Sequence, residues 1–572
     1  REVTIVSKST DDYFELQDKM AIGYDSSIPD IENLVSYAIH TFRSVTGFYF
    51  SIVIDQPVSK GIYFGKPDSE DTSSYYLNMT NDLVSIRSHN KDLLFYGFQT
   101  LLQIFPPQIY SNQPVDDVDW VAYPLINVAD SPRFPYRGLL VDVSRHFFTI
   151  DTLKLMIDAM SHYKLNILHL HLTDDQGWRI EIERYPELTK IGSLRSSSPL
   201  RINRKLSDYT PYGPYFYTKR ELIDLVQYGK TRNVILVPEI DMPGHQVAAL
   251  ACYPQYSCRG VPIETSTSFG IKKEILCAGN DEAITFLENV LIEVIEIFTT
   301  TPYIHIGGDE VPKDRWDECP KCQRKIKELG LQSSAELQQH FTNHFAQFLE
   351  DRGLRLIGWD EIFYGKDSLS KQAVVMSWLP NYGESINATA KGHNVIMTPK
   401  QYVYLDYQQF RSKEPYIYLS KATRVCSTRM AYFFDPAGPF PEDQKNLVLG
   451  CQGNLWSECI DDQDELFYKA FPRALAISET AWSKLENKDW RRFLREMDQS
   501  HYSKLHYMGI ETAAPLSCGN IPHWPKGNFS IDEWTVATFD VSNSFTLPGD
   551  YEAAFIHLKG KHGIMIRNVE LL

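Results

Sequence analysis

From residue 137 onward the chain repeats one pattern: a short run of Val, Ile and Leu, a loop of variable length, then a stretch with apolar residues at helical spacing. Strands buried on both faces need runs that are apolar throughout rather than at alternate positions, so the pattern predicts parallel strands covered by helices. Eight such runs follow one another, at 138–143 (GLLVDV), 166–172 (NILHLHL), 233–237, 302–306, 354–357, 373–376, 394–397 and 446–452. Helices are predicted between them at 151–162, with Thr149 or Asp151 as cap, and at 219–229, 281–297, 334–352 and 385–391. Eight strands and their crossovers describe a (β/α)8 TIM barrel better than an open doubly wound sheet, which is the alternative.

Ahead of the barrel, residues 74–89 hold two β-rich runs around Asn81-Asp82. Residues 91–104 (KDLLFYGFQTLLQI) read as an amphipathic helix stopped by Pro106-Pro107. Prolines at 124, 132 and 135 mark 124–136 as a connector. After a last barrel helix expected at 490–506, the tail turns to alternating patterns, with GKHG placed as a hairpin turn. The fold class is therefore α/β, in three parts. These are an N-terminal α/β domain at 1–132, a (β/α)8 catalytic barrel at 133–508 and a β-rich C-terminal appendage at 509–572.

Composition narrows the function. At 43% hydrophobic and 23% charged residues, the 572-residue chain can build a large core and is not disordered. With 57 basic against 73 acidic residues, a net charge of -16 argues against nucleic acid and anionic membranes as partners. No apolar run approaches the roughly 20 residues of a membrane span. A start at Arg1, nine cysteines and sequons at Asn78, Asn387 and Asn528 suggest a mature chain. It would be secreted, or reside in an organelle lumen or the periplasm, with disulfides and glycans expected.

In a barrel the chemistry sits where strands run out into C-terminal loops. Those positions hold His171 and Asp174-Asp175, then Glu239, Asp241 and His245, then His305, Gly307-Gly308, Asp309 and Glu310. Strand five ends in Trp359, Asp360 and Glu361, strand six in Trp378, and strand eight in Asn454, Trp456 and Glu458. Tyr404 and Asp406 follow strand seven. Single carboxylates at such places often cap the next helix, which is the plain reading of Asp174, Asp175 and Asp360. The two glycines before Asp309-Glu310 permit a sharp turn and leave room for a ligand. Trp178, Trp359, Trp378 and Trp456 suggest an aromatic wall for a sugar ring, although each alone could be core. Carboxylates among aromatics suit acetal hydrolysis, with Glu310 as acid if its surroundings raise its pKa.

His169 and His171 on one strand face, with His245, His305 and Asp309, could instead build a metallohydrolase site. The pair lies on the second strand, and Gly-Gly follows His305, so no catalytic metal and no cofactor are expected. Cys319-Pro320-Lys321-Cys322 has the spacing of half a zinc site or of a redox pair. With no second CxxC or CxxH near it, a disulfide or loop clamp is the expectation.

The motif HIGGDEV at 305–311 resembles glycoside hydrolase family 20 β-N-acetylhexosaminidases. So do YRGLLVDVSRHF (136–147), HLHLTDDQGWRIEI (169–182), PEIDMPGH (238–245), GWDE (358–361), VYLD (403–406) and GNLWSE (453–458), in that order. The resemblance implies an exo-acting, retaining enzyme for terminal β-linked GlcNAc or GalNAc glycans. In that family the substrate's acetamido oxygen attacks the anomeric carbon, giving an oxazolinium ion. Glu310 would then be the acid and base, Asp309 the orienting carboxylate, and Tyr404 the partner of the acetamido oxygen. Arg137 and Glu458 would hold hydroxyls, Asp406 would also bind substrate, and Trp359, Trp378 and Trp456 would enclose the sugar. His171, Asp175, Asp241, His245 and His305 would support the acidic pair. Two departures stand out: LPNYG after Trp378, where a basic pattern is expected, and a tail resembling bacterial members. The sequence leaves open whether two chains form a homodimer.

Overall fold

The computed structural model describes residues 2–7, 11–198, 210–364, 369–409 and 424–513. Eight parallel strands close into a barrel: β1 (Tyr136–Asp142), β2 (Ile167–His171), β3 (Ile235–Glu239), β4 (Tyr303–His305), β5 (Arg355–Trp359), β6 (Val374–Ser377), β7 (Val395–Met397) and β8 (Val448–Leu455), with β8 pairing back onto β1. Each contains most of a run read from the sequence. Leu140, Val237, Ile357, Val374, Met376 and Ile396 fill the barrel interior, while the outward faces pack against the helices.

The helices begin where side chains can answer exposed N–H groups. Thr149 caps Ile150–His162, Asn280 caps Asp281–Ile297, Ser333 caps Ser334–Glu350, and Thr218 with Glu221 forms a capping box on Lys219–Thr231. The last barrel helix differs from expectation. Arg473–Trp482 is the helix that packs on β1 and β8, whereas Trp490–Glu496 and the turns after it lie further out.

Ahead of the barrel stands a seven-stranded sheet in the order Glu2–Ser7, Leu125–Asp130, Tyr75–Met79, Leu83–Arg87, Gly61–Gly65, Ala21–Tyr24, Ser51–Ile54. Ile31–Thr46 and Lys91–Leu102 pack against it. The expected connector therefore contains a strand: Leu125–Asp130 pairs antiparallel with both Glu2–Ser7 and Tyr75–Met79. Its prolines lie outside the paired residues, so they bound the strand without interrupting it.

The sheet meets the N-terminal mouth of the barrel through a buried polar network. Lys164 Nζ donates to Tyr75 Oη at 3.0 Å and Thr100 Oγ1 at 2.7 Å, and Trp482 Nε1 donates to Asp130 Oδ2 at 2.9 Å. From residue 514 on, the expected C-terminal appendage lies outside the described residues, as do its hairpin, Cys518 and the sequon at Asn528. No described helix is long and apolar enough to cross a membrane. No disulfide joins the eight described cysteines, Cys319 and Cys322 among them.

Candidate active site

The parallel register places Asp142, His171, Glu239 and His305 side by side on β1 to β4. Glu239 is the hub of this row. Its carboxylate lies 2.6 Å from His171 Nδ1, 3.1 Å from His169 Nε2 and 3.2 Å from His305 Nδ1, and it accepts from Trp359 Nε1 at 2.9 Å. Burial alone would neutralise it, but His171 and His305 outweigh that and hold its pKa well below the usual carboxylate range. His169, two residues before the end of β2, is pushed down to about 4 by burial and by His305. Glu239 is thus bonded to His171 and Trp359, while His305 Nδ1 accepts from Gly307 N at 3.0 Å and the buried Nε2 atoms of His169 and His305 find no hydrogen-bond partner among the described residues.

Above this layer, β4 runs into Gly307 and Gly308, both with positive φ. The reason for glycine at 307 is tighter than space for a ligand. A Cβ there would sit 1.8 Å from Asp241 Oδ1, the same oxygen that accepts from Gly308 N at 3.3 Å. Burial, then the charge of Asp309, raises the Asp241 pKa well above its ordinary value.

That turn aims two adjacent carboxylates the same way. His245 Nε2 lies 3.8 Å from Asp309 Oδ2 and 3.6 Å from Glu310 Oε2. Both His245 and Glu310 take left-handed backbone, at φ 51 and 49°, which non-glycine residues hold only where the surroundings enforce it. On its other side, His245 Nδ1 faces Asp175 Oδ2 at 3.2 Å and Asp174 Oδ1 at 3.3 Å. Burial disfavours an imidazolium here, yet Asp174 and these hydrogen bonds raise the His245 pKa well above normal and favour its charged form behind the acidic pair. Asp309 Oδ1 is buried and has no hydrogen-bond partner. The Asp309 pKa is pushed up to about 6, first by burial, with Glu310 and Glu239 adding to the rise and His245 opposing it.

The remaining residues close a ring around the pair. Glu361, which feels Asp309, accepts from Trp378 Nε1 at 3.1 Å, and burial pushes its pKa up to about 8. Trp378 stacks on Tyr404 at 6.4 Å, and Tyr404 lies 6.3 Å from Trp456. Trp456 in turn meets Trp359 at 5.7 Å and His171 at 5.1 Å. Tyr404 is set beside β8 by a bridge to Asn454. Burial raises its pKa well above normal, with the charges of Asp406 and Asp309 also acting on it, so its hydroxyl keeps its proton. Over Trp456 lies the Arg145 guanidinium, paired with Asp174 at 2.7 Å and Asp142 at 3.1 Å and within the field of Glu458.

Of the residues singled out by sequence, Asp309, Glu310, His245, Asp175, Asp241, His171, Trp359, Trp378, Tyr404, Asp406, Trp456 and Glu458 gather at this mouth, with His305 just below. Arg137 does not. It begins β1, and its guanidinium donates to Lys164 O, Phe134 O and Tyr96 Oη at 2.7–2.8 Å, at the opposite end of the barrel. The residue at the mouth is Arg145, in the same quoted motif but past the end of β1, where the strand-end rule points. Trp178 is also corrected: it is buried, donates to Ile180 O and belongs to the core. Asp360 accepts from the backbone N–H groups of Trp378, Leu379 and Glu384, a structural role. Asp175 does not cap the helix after its own strand; it accepts from Val247 N, 72 residues on, and faces His245, in keeping with the supporting reading.

Residues 134–485 match the family described as glycosyl hydrolase family 20, catalytic domain. A β-hexosaminidase of Porphyromonas gingivalis is 36% identical over 92% of the chain, and the chain spans 65% of that protein's length. A β-hexosaminidase of Akkermansia muciniphila is 33% identical over 75% of the chain and 83% of its own length. Among solved structures, the GH20 exo β-N-acetylglucosaminidase of Vibrio harveyi in complex with N-acetylglucosamine superposes with a TM-score of 0.77. It is 28% identical, over 90% of this chain and 78% of that one.

Proposed function

The chain belongs to glycosyl hydrolase family 20, and from that premise we propose that it is an exo-acting, retaining β-N-acetylhexosaminidase. It removes terminal non-reducing β-linked GlcNAc or GalNAc by substrate-assisted catalysis. One observation carries the proposal: Asp309 and Glu310 project together from one strained turn, with a buried Asp309 oxygen that no group among the described residues answers.

Glu310, the more exposed of the two, protonates the glycosidic oxygen. The acetamido oxygen attacks the anomeric carbon as the aglycone leaves, forming the oxazolinium ion. Glu310, now a carboxylate, takes a proton from the water that opens this ion, which returns the sugar with its configuration retained. Asp309 accepts the acetamido N–H and offsets the positive charge that develops beside it. The Tyr404 hydroxyl donates to the acetamido oxygen. An attack by the substrate's own group fits the state of the other carboxylates. Glu239 is held by His171 and Trp359, Asp174 by Arg145 and His171, and Asp360 by backbone, so none of these three is free to attack. Arg145 takes the hydroxyl-binding role first given to Arg137, and the tryptophans enclose the ring. Residence outside the cytoplasm belongs to the same proposal, supported by exposed sequon residues Asn78 and Asn387.

Turnover of an N-acetylchitooligosaccharide from its non-reducing end tests this reading. Glu310→Gln removes the transferable proton and lowers kcat by about 100- to 10,000-fold, the usual reach of general acid catalysis. Binding of GlcNAc without hydrolysis by the unmutated chain would instead mark a carbohydrate-binding module.

A further inference from the structure

Cys319 and Cys322 meet two further cysteines that lie far from them in sequence. Cys258 and Cys277, on the loop after β3, complete the group, and all four Sγ atoms lie within 4.8 Å of one another. Three sulfur pairs are nearly equal in length: Cys277 to Cys322 at 3.6 Å, Cys277 to Cys319 at 3.7 Å and Cys258 to Cys322 at 3.9 Å. Two disulfides would divide the sulfurs into two bonded pairs near 2.0 Å. Three near-equal edges, with Cys277 and Cys322 each holding two sulfur neighbours and the remaining pairs within 4.8 Å, instead outline a slightly expanded tetrahedron. With Zn–S of about 2.3 Å that edge is about 3.8 Å. We propose that Cys258, Cys277, Cys319 and Cys322 bind one zinc ion as a structural tetrathiolate site.

The backbone is shaped for it. Ser257 and Leu276 form an antiparallel bridge, and Cys277 N donates to Tyr256 O at 2.9 Å, which brings Cys258 and Cys277 together. Gly279 lies flat against the second pair, and a Cβ there would stand 2.4 Å from Cys322 N. Its N–H donates to the Cys277 sulfur, the outer-shell contact that thiolate ligands favour. Cys319 is the N-cap of helix Pro320–Glu328 and Cys322 lies in its first turn, so the positive end of the helix faces the anionic sulfurs. Cys277, Cys319 and Cys322 are buried and Cys258 is partly so, as in a closed structural site with no open coordination position.

The site sits behind the candidate catalytic centre and joins the two loops that build it. One loop carries His245 and Cys258, the other Glu310 and Cys319. They are also tied by Trp316 Nε1 donating to Leu276 O at 2.9 Å and by Arg315 pairing with Glu274 at 2.6 Å. A metal here fixes the spacing between His245 and the Asp309-Glu310 turn without touching substrate. This inference rests on the cysteines alone and does not depend on the hexosaminidase reading.

Elemental analysis of the full chain, purified without added chelator, tests it. We expect about one zinc per chain, kept by Cys252→Ser outside the cluster and lost in Cys277→Ser. Because Cys277→Ser could fail to fold, the unmutated chain supplies a second readout. A mercurial thiol reagent should release the zinc to a metallochromic dye, and chelation should expose four additional alkylatable cysteines without any reductant. Cobalt exchanged into the site should give thiolate charge-transfer absorption and tetrahedral d–d bands. Peptide mapping that finds Cys258, Cys277, Cys319 and Cys322 joined in disulfides would overturn the proposal. So would four freely alkylating thiols in native protein with far less than one metal per chain.

Discussion

The two mouths of the barrel treat a buried arginine in opposite ways, although Arg137 and Arg145 stand on the same stretch of chain. At the N-terminal mouth, all three guanidinium nitrogens of Arg137 donate to carbonyls or to Tyr96, and the group is stacked between Tyr96 and Trp482. Nothing is left over for a ligand. At the C-terminal mouth, Arg145 balances Asp142 and Asp174, His245 stands between two acidic pairs, and Asp309 keeps an oxygen unanswered. One end spends its polar groups on cohesion. The other holds charges and strained backbone in place against their own preference, as a site waiting for a ligand does.

Matched conservative substitutions sharpen this contrast most strongly. Arg145→Lys keeps the charge but loses the planar fork, and kcat/KM should fall by about 10- to 100-fold, the worth of one charged hydrogen bond in the transition state. Arg137→Lys should leave kcat/KM of the folded enzyme within about twofold while lowering stability by about 1–3 kcal/mol through lost carbonyl contacts. Steady-state kinetics paired with thermal melts read both. A large activity loss at Arg137 with normal stability would break the comparison.

A smaller effect lies in the pH profile. Asp309 must be ionised to offset a positive charge, and its pKa is raised to about 6 chiefly by burial. As pH falls through about 6 the carboxylate takes up a proton, so kcat/KM should drop on the acid side, approaching tenfold per pH unit. His245 lowers the Asp309 pKa, so His245→Gln should move that limb to higher pH. Arg137→Lys should leave the limb in place. An acid limb unchanged in His245→Gln would remove the histidine from the account.

Much of this was legible in the sequence because barrel strands announce themselves by continuous apolar runs and their helices by caps. The helix Asp281–Ile297 falls where its apolar spacing predicts, and Asn280 caps it. What escaped depends on contacts distant along the chain. Leu125–Asp130 is a strand because Glu2–Ser7 and Tyr75–Met79 flank it, and nothing local says so. Arg137 was placed at the substrate by resemblance, whereas its position at the start of β1 already pointed to the base of the barrel. Arg145, past the strand end, was the residue that rule selects. Glu361 was read as a strand-end carboxylate, but its burial and its bond from Trp378 appear only once β5 and β6 are neighbours. The cysteines evaded a spacing rule because Cys258 and Cys277 meet through a β-bridge rather than a CxxC turn.

The central claim is that the substrate's acetamido group is the nucleophile and that Asp309 is shaped for the cyclised intermediate. Inhibition by a thiazoline analogue of that intermediate, compared with GlcNAc itself, tests it most directly. The analogue should bind the unmutated enzyme at least about 100-fold more tightly than GlcNAc, as mimics of a high-energy species do, and lose most of that advantage in Asp309→Asn. Equal affinity for thiazoline and GlcNAc, or an advantage untouched by Asp309→Asn, would contradict it.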